Sequence, residues 1–242
     1  MHPTPDLSHL TSRDFEDVYE PAEDTFILLD ALDADARCLV KFRPTICLEI
    51  GKVDSTRTCS RIPSLPDSRF LYRYSTDLAA AAFLCSFSNS SFQSQPATAS
   101  TFAQNKLPPP NLVQTSLIES LRLDQMIELL LFNPPYVETE DEEYENAREN
   151  HAISASWAGG SNGMRLTNRL LHDLDRILHP QRGILYLVAV KENRPDEIVK
   201  RMEASGFSAV IVLKRRAGRE HLHVLRIARP SAHTILMRNG AV

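Results

Sequence analysis

Glycine is scarce in this chain, with 8 in 242 residues, about half of what ordinary usage near 7% would supply. Few positions therefore let the backbone turn through positive φ or press closely on a ligand, and collagen-like architectures are excluded. Cysteine is sparse as well. The four, Cys38, Cys47, Cys59 and Cys85, lack the short paired spacing of a zinc site, and a chain of this length has no need of disulfide staples. A reducing cytoplasmic or nuclear compartment is expected, and no metal. No stretch approaches the roughly 20 apolar residues that span a bilayer. The first thirty residues carry acids (Asp6, Asp14, Glu16, Asp17, Glu20, Glu23, Asp24) where a targeting peptide carries bases, so neither a leader nor an anchor is expected. Positive charge is not in excess: Lys and Arg number 27 against 31 Asp and Glu, a formal net charge of −4. Nothing overall draws the chain to a nucleic-acid backbone or an anionic membrane. What is there, 43% hydrophobic and 24% charged residues, is the composition of one soluble globular domain.

Residues 45–51, Thr-Ile-Cys-Leu-Glu-Ile-Gly, form an apolar run ending in an acid and a glycine, which reads as a buried strand leading into a turn. Further strands are expected at 69–75, 111–115, 126–133, 183–190, 207–213 and 222–228. Helical spacing of apolar residues covers 23–32 and 164–178, and Pro195 opens a third helix, to about Ser205. Strands alternating with helices imply an α/β, mostly parallel, doubly wound sheet whose ligands sit beyond the carboxyl ends of its central strands. The last two strands are too close for a crossover helix and should pair as an antiparallel edge hairpin. No charged residue occurs between Asp77 and Lys106, and 86–101 is rich in Ser, Asn, Gln and Thr. This stretch reads as a low-complexity linker of poor order, closed by Pro108, Pro109 and Pro110. Residues 138–149 hold seven acids and one base, Arg148, as a solvated loop does.

Chemistry is concentrated in Phe132-Asn133-Pro134-Pro135-Tyr136, at the carboxyl end of an apolar strand. Two consecutive prolines fix the backbone after Asn133 and cannot donate hydrogen bonds, so nearby carbonyls are left as acceptors. An Asn side-chain oxygen beside such a carbonyl makes a two-acceptor fork for an NH₂ group. The nitrogen of a planar amide or aromatic amine is a poor nucleophile because its lone pair is delocalised. Accepting both its hydrogens orients it and raises its electron density. Tyr136 supplies an aromatic wall against the planar group. The pattern points to alkylation of an amide or amine; the bland alternative is a strand-ending turn.

With three further segments the sequence resembles the HemK-related glutamine methyltransferases, in particular the eukaryotic and archaeal release-factor branch. These are Val18-Tyr19-Glu20-Pro21-Ala22-Glu23-Asp24-Thr25, then Ala155-Ser156-Trp157-Ala158-Gly159-Gly160-Ser161-Asn162-Gly163, and Tyr186-Leu187-Val188-Ala189-Val190-Lys191-Glu192-Asn193 with Arg216-Ala217-Gly218-Arg219-Glu220. The resemblance covers most of 17–228 and implies a Rossmann-like class I methyltransferase: a mostly parallel seven-stranded sheet, an antiparallel edge hairpin, and helices on both faces. Residues 45–230 would be the methyltransferase domain, with 52–110 divergent and partly disordered, 1–44 an N-terminal arm and helix, and 231–242 a tail. The implied cofactor is S-adenosylmethionine. Thr25 would meet its methionine end, Glu49 and Gly51 would line it from the first strand, Asp77 would take the ribose hydroxyls, and Ser116 and Leu117 the adenine. Asn133 would border the same site. The implied catalytic set is Asn133, Pro134, Pro135 and Tyr136, and the implied substrate is the glutamine of a Gly-Gly-Gln motif in a class 1 release factor. The resemblance also implies a small zinc-binding activator subunit against the sheet edge, with Leu71, Leu112 and Val113 as candidate contacts. No general base is required, so His151 reads as an incidental loop histidine.

Where the family carries three alternating glycines after the first strand, this chain has Gly51 followed by Lys52-Val53-Asp54-Ser55. Pro63 and Pro66 occupy the place of the next helix, and Ser116 stands where the family has an acid. Two explanations fit: a natural pseudoenzyme, or an altered reading of the gene across 52 to about 104, which the well-matched flanks favour. Three functions compete on these residues: the release-factor methyltransferase, impaired or not; a catalytically dead binding module; and a DNA adenine methyltransferase, which shares the fork but is disfavoured by the acidic balance.

Overall fold

The computed structural model of the chain describes residues 6–16, 20–51, 82–87, 94–107, 109–119, 121–139 and 163–241. Asp77, His151, Leu71, the strand expected at 69–75 and the acidic run beyond Thr139 lie outside them. A short 3-10 turn, Asp14–Glu16, precedes α1 (Glu23–Ala34) and α2 (Ala36–Phe42). Then come β1 (Ile46–Gly51), β2 (Ala82–Phe87), α3 (Ser94–Gln104), β3 (Asn111–Gln114) and β4 (Leu129–Asn133). The chain continues through α4 (Arg165–Ile177), β5 (Ile184–Val190), α5 (Pro195–Ala204), β6 (Ser208–Ala217), β7 (Glu220–Ala228) and α6 (Pro230–Arg238).

All seven strands join one sheet in the order β3-β2-β1-β4-β5-β7-β6. Every pairing is parallel except those of β7, which runs antiparallel to both β5 and β6. The expected α/β architecture and edge hairpin are both present. The chain winds outward from β1 in one direction and from β4 in the other, so the crevice where strand order reverses lies between these two.

Alternation of side chains across the sheet builds the layers. Leu129 and Leu131 of β4 face α1, α2 and α6, in a cluster with Ile27, Leu28, Leu32, Leu39 and Leu236. Leu130 and Phe132 face the other way, against Leu166, Leu170 and Leu174 of α4 and Ile198 and Met202 of α5. At the amino end of the sheet, Glu128, only 7% exposed, accepts from the Thr45 backbone N–H at 2.9 Å and from Arg182 Nε at 3.2 Å. The guanidinium of Arg182 lies 4.4 Å over the Phe42 ring. This knot fixes where β1, β4 and β5 begin.

The strand beside β1 is residues 82–87, where the sequence suggests none. One expectation is corrected: the uncharged stretch read as a linker contains helix α3. That helix buries Ala97, Thr98, Thr101 and Phe102, an i, i+1, i+4, i+5 face made of small and aromatic side chains. Thr101 Oγ1 donates to the Ala97 carbonyl at 2.9 Å, which satisfies the hydroxyl within the helix and lets a threonine serve as a core residue. Residues of the expected tail also form α6, opened by Pro230 at its first position.

Candidate active site

β1 and β4 end level with each other, with Gly51 paired to Asn133 across the switch point. Polar side chains near both ends are buried. Asn133 is 5% exposed and Glu49 4%, while Pro134 and Pro135 are buried behind them. The first turn of α1 closes the site from above: Asp24 is 2% exposed and Thr25 1%. Asp24 Oδ2 accepts from Asn133 Nδ2 at 3.0 Å and from the Tyr136 hydroxyl at 3.3 Å, and Asp24 Oδ1 accepts from the Thr25 backbone N–H at 2.8 Å.

A carboxylate can only accept, so it holds the NH₂ side of the Asn133 amide and turns the oxygen the other way. Asn133 Oδ1 is buried and has no hydrogen-bond partner. A buried amide oxygen in that state costs roughly 1–3 kcal/mol, a cost that an incoming N–H donor would remove. The simple turn reading accounts for neither the orientation nor the orphaned acceptor.

The chain beyond the tetrapeptide is clamped from two sides. Asn193, 5% exposed, follows β5 and accepts from the Val190 N–H at 2.9 Å, while its Nδ2 reaches the Tyr136 carbonyl at 3.5 Å. Gly163 sits at φ +64°, where an added Cβ would lie 1.9 Å from that same oxygen. The glycine is required by close approach as much as by its backbone angle.

Of the sequence-predicted residues, Thr25, Glu49, Gly51, Asn133, Pro134, Pro135 and Tyr136 converge at the ends of α1, β1 and β4. Ser116 and Leu117 follow β3, two strands from β1; Ser116 is half-buried and Leu117 is 3% exposed at φ 52°. Asp24 and Asn193 lie within the motifs, but the sequence assigns them no role, because nothing local shows that either reaches the Asn133 segment. Among the described residues no cluster of His, Cys, Asp and Glu is arranged to hold a metal ion. The two described thiols, Cys38 and Cys47, are buried, and burial pushes both above the ordinary thiol value, so neither is a poised nucleophile.

No family model matches the chain. It is 37% identical over 235 residues to the eRF1 methyltransferase catalytic subunit mtq2 of Schizosaccharomyces pombe, across 95% of this chain and 96% of that protein. It is 40% identical over 229 residues to methyltransferase HEMK2 of Mus musculus, across 94% and 97%, and 39% identical to that of Homo sapiens, across 93% and 96%. The chain belongs to the Mtq2/HEMK2 methyltransferase family. In fold it is similar to the E. cuniculi Mtq2–Trm112 complex that methylates eRF1, with TM-score 0.54 and 21% identity over 88% of this chain and 99% of that one. The catalytic domain of hMettl16 shares the fold at TM-score 0.50 and 14% identity, over 89% and 75%.

For an Mtq2/HEMK2 methyltransferase the contact at Gly163 yields a sharp expectation. Gly163→Ala must push the Tyr136 carbonyl aside, and a displacement near 1 Å at reacting groups costs about a hundredfold in rate. Single-turnover methyl transfer should fall by that order, and thermal unfolding should register more than the roughly 1–2 kcal/mol of a non-glycine residue at positive φ, because the clash is with backbone atoms.

Proposed function

We propose that this chain transfers a methyl group to the side-chain amide nitrogen of a glutamine in a Gly-Gly-Gln motif of a class 1 release factor. The reading is carried by the Asn133 amide oxygen, buried without a hydrogen-bond partner and turned away from Asp24. The relatives named for eRF1 methylation support it. A member of this methyltransferase family takes its methyl group from S-adenosylmethionine, a sulfonium that offers an electrophilic carbon when bound. The residues fit such a molecule: Glu49 is a nearly fully buried carboxylate near the carboxyl end of β1, suited to an ammonium, a sulfonium or sugar hydroxyls. Thr25, Gly51 and the Ser116–Leu117 turn would complete its cradle, with Asp77 from outside the described residues.

The protein's part is orientation and electrostatics. The substrate NH₂ donates to Asn133 Oδ1 and to the Pro134 carbonyl, which aims its nitrogen and stabilises the positive charge that grows there during displacement. Tyr136 walls the planar amide. The methylated amide is acidic enough to lose its proton to water afterwards, so no tuned base is needed. Among the described residues no helix is long and apolar enough to cross a membrane, and a cytoplasmic site of action fits a translation factor as substrate.

A small zinc-binding activator subunit would sit on β3, the strand at the sheet edge, where Leu112 and Val113 are half-buried. Such an edge carries backbone groups ready to pair with another chain. The deciding experiment is transfer of labelled methyl from S-adenosylmethionine to a release factor by the chain co-purified with the activator. Label on the Gly-Gly-Gln glutamine is expected. Its absence from a preparation that binds the cofactor would refute the assignment.

A further inference from the structure

An asparagine amide fits its pocket either way round, and only one orientation serves amide methylation. With the oxygen outward Asn133 accepts from the substrate NH₂; with the nitrogen outward two NH₂ groups oppose each other. Nothing within Asn133 makes that choice. The side chain that does is 109 residues away in sequence, on the first turn of α1.

We propose that Asp24 is a positioning residue that sets the orientation of the Asn133 amide, and that a carboxylate is required there because three donors converge on its two oxygens. Thr25 N–H occupies Oδ1, and Asn133 Nδ2 and the Tyr136 hydroxyl occupy Oδ2. An asparagine at position 24 keeps the shape but loses one acceptor face. If its oxygen stays on the Thr25 N–H, its own NH₂ points at Asn133, which must flip and present nitrogen to the substrate. If its oxygen turns to Asn133, the buried Thr25 N–H meets an NH₂. Both outcomes leave a donor facing a donor in a dry site. The inference rests on the proposed use of Asn133 and adds how its polarity is set.

Exchanging the two side chains distinguishes positioning from a generic structural role. In the variant Asp24→Asn, Asn133→Asp, the amide at 24 keeps its oxygen on the Thr25 N–H and donates to one oxygen of the new carboxylate. The other carboxylate oxygen then faces the substrate as an acceptor, and total charge is unchanged. With the activator-bound chain and a release factor, D24N is expected to lower kcat by about a hundredfold, the order seen for removing one preorganised hydrogen bond at a reacting centre. N133D, which sets two carboxylates side by side, should do the same. The exchanged pair should recover at least about tenfold over either single variant, although it carries both substitutions. A second reading needs no turnover. In protein labelled with ¹⁵N-asparagine, one Nδ2 proton of Asn133, held against the carboxylate, should resonate downfield and exchange slowly, and D24N should abolish both properties. An exchanged pair no better than the single variants, or an Asn133 resonance indifferent to D24N, overturns the proposal. If D24N does not fold, the exchanged pair decides. If the wild-type complex transfers no methyl group, the proposed function fails separately, and the Asn133 resonance still decides the role of Asp24.

Discussion

Replacing Asn133 by alanine lowers methyl transfer by about 10²–10³-fold with little change in the fold. Truncation removes the acceptor proposed to meet the substrate amide, and it frees Asp24 Oδ2 from one donor while the Tyr136 hydroxyl stays on it. The loss falls on kcat rather than KM. In the ground state the amide nitrogen is nearly neutral and water serves it almost as well. As the new bond forms, positive charge accumulates on that nitrogen and its N–H groups become stronger donors, so the fork is strongest at the transition state. Stability should move by only about 1 kcal/mol, the net worth of one hydrogen bond. Rapid-quench single turnover against a release factor, at saturating substrate, separates the two parameters. A variant with raised KM and intact kcat would place the substrate amide elsewhere.

The sheet was legible where burial leaves a signature in composition. β1, β4 and β5 are short apolar runs, and all the described residues of β4 and β5 are buried, as expected for central parallel strands. The hairpin followed from the short link between β6 and β7, and α4 from leucines on one face. β2 escaped because Ala-Phe-Leu-Cys-Ser-Phe follows an alanine run and carries neither alternation nor a β-branched residue, while residues 69–75 alternate more convincingly. Helix α3 escaped because its buried face is alanine, threonine and one phenylalanine, and the absence of charge mimicked a linker. Pro230 carries the same signal as Pro195, a proline at the first helical position.

The site divided along similar lines. Asn133 to Tyr136 announce themselves because consecutive prolines after an apolar strand restrict the backbone in a way few sequences do. Glu49 and Gly51 come from the family resemblance; their residues alone mark only the end of an apolar strand. Asp24 and Asn193 act through long-range hydrogen bonds, and their local surroundings resemble ordinary helix-start and turn residues. Charge near a helix start is favourable for its own reasons, which hides the longer-range contact.

Asp35→Ala should destabilise the chain by about 3–5 kcal/mol, the cost of stranding a buried charge. Asp35 joins α1 to α2 and is 0% exposed; Arg226 of β7 is 1% and Tyr186 of β5 0%. Arg226 Nη1 donates to Asp35 Oδ2, and the Tyr186 hydroxyl donates to the same oxygen at 2.6 Å. One carboxylate thus ties the helical layer to two strands. Its removal takes the Asp35 charge away from a guanidinium held in a dry core, and the loss corresponds to roughly 6–20 °C in Tm at about 2–4 °C per kcal/mol for a chain of this size. Replacing both partners by apolar residues, Asp35→Leu with Arg226→Met, should restore most of it, because the desolvation of both charges disappears with the pair. Burial, reinforced by the Asp35 charge, holds the Tyr186 phenol well above its ordinary value. The stability it contributes is complete below the unfolded phenol value near 10 and declines as pH rises beyond that, since the unfolded chain gives up the proton first. Tyr186→Phe should flatten that alkaline decline in urea unfolding while leaving the destabilisation by Asp35→Ala in place. If Asp35→Ala costs under about 1 kcal/mol, the cluster is not the tie between helices and sheet that its burial implies.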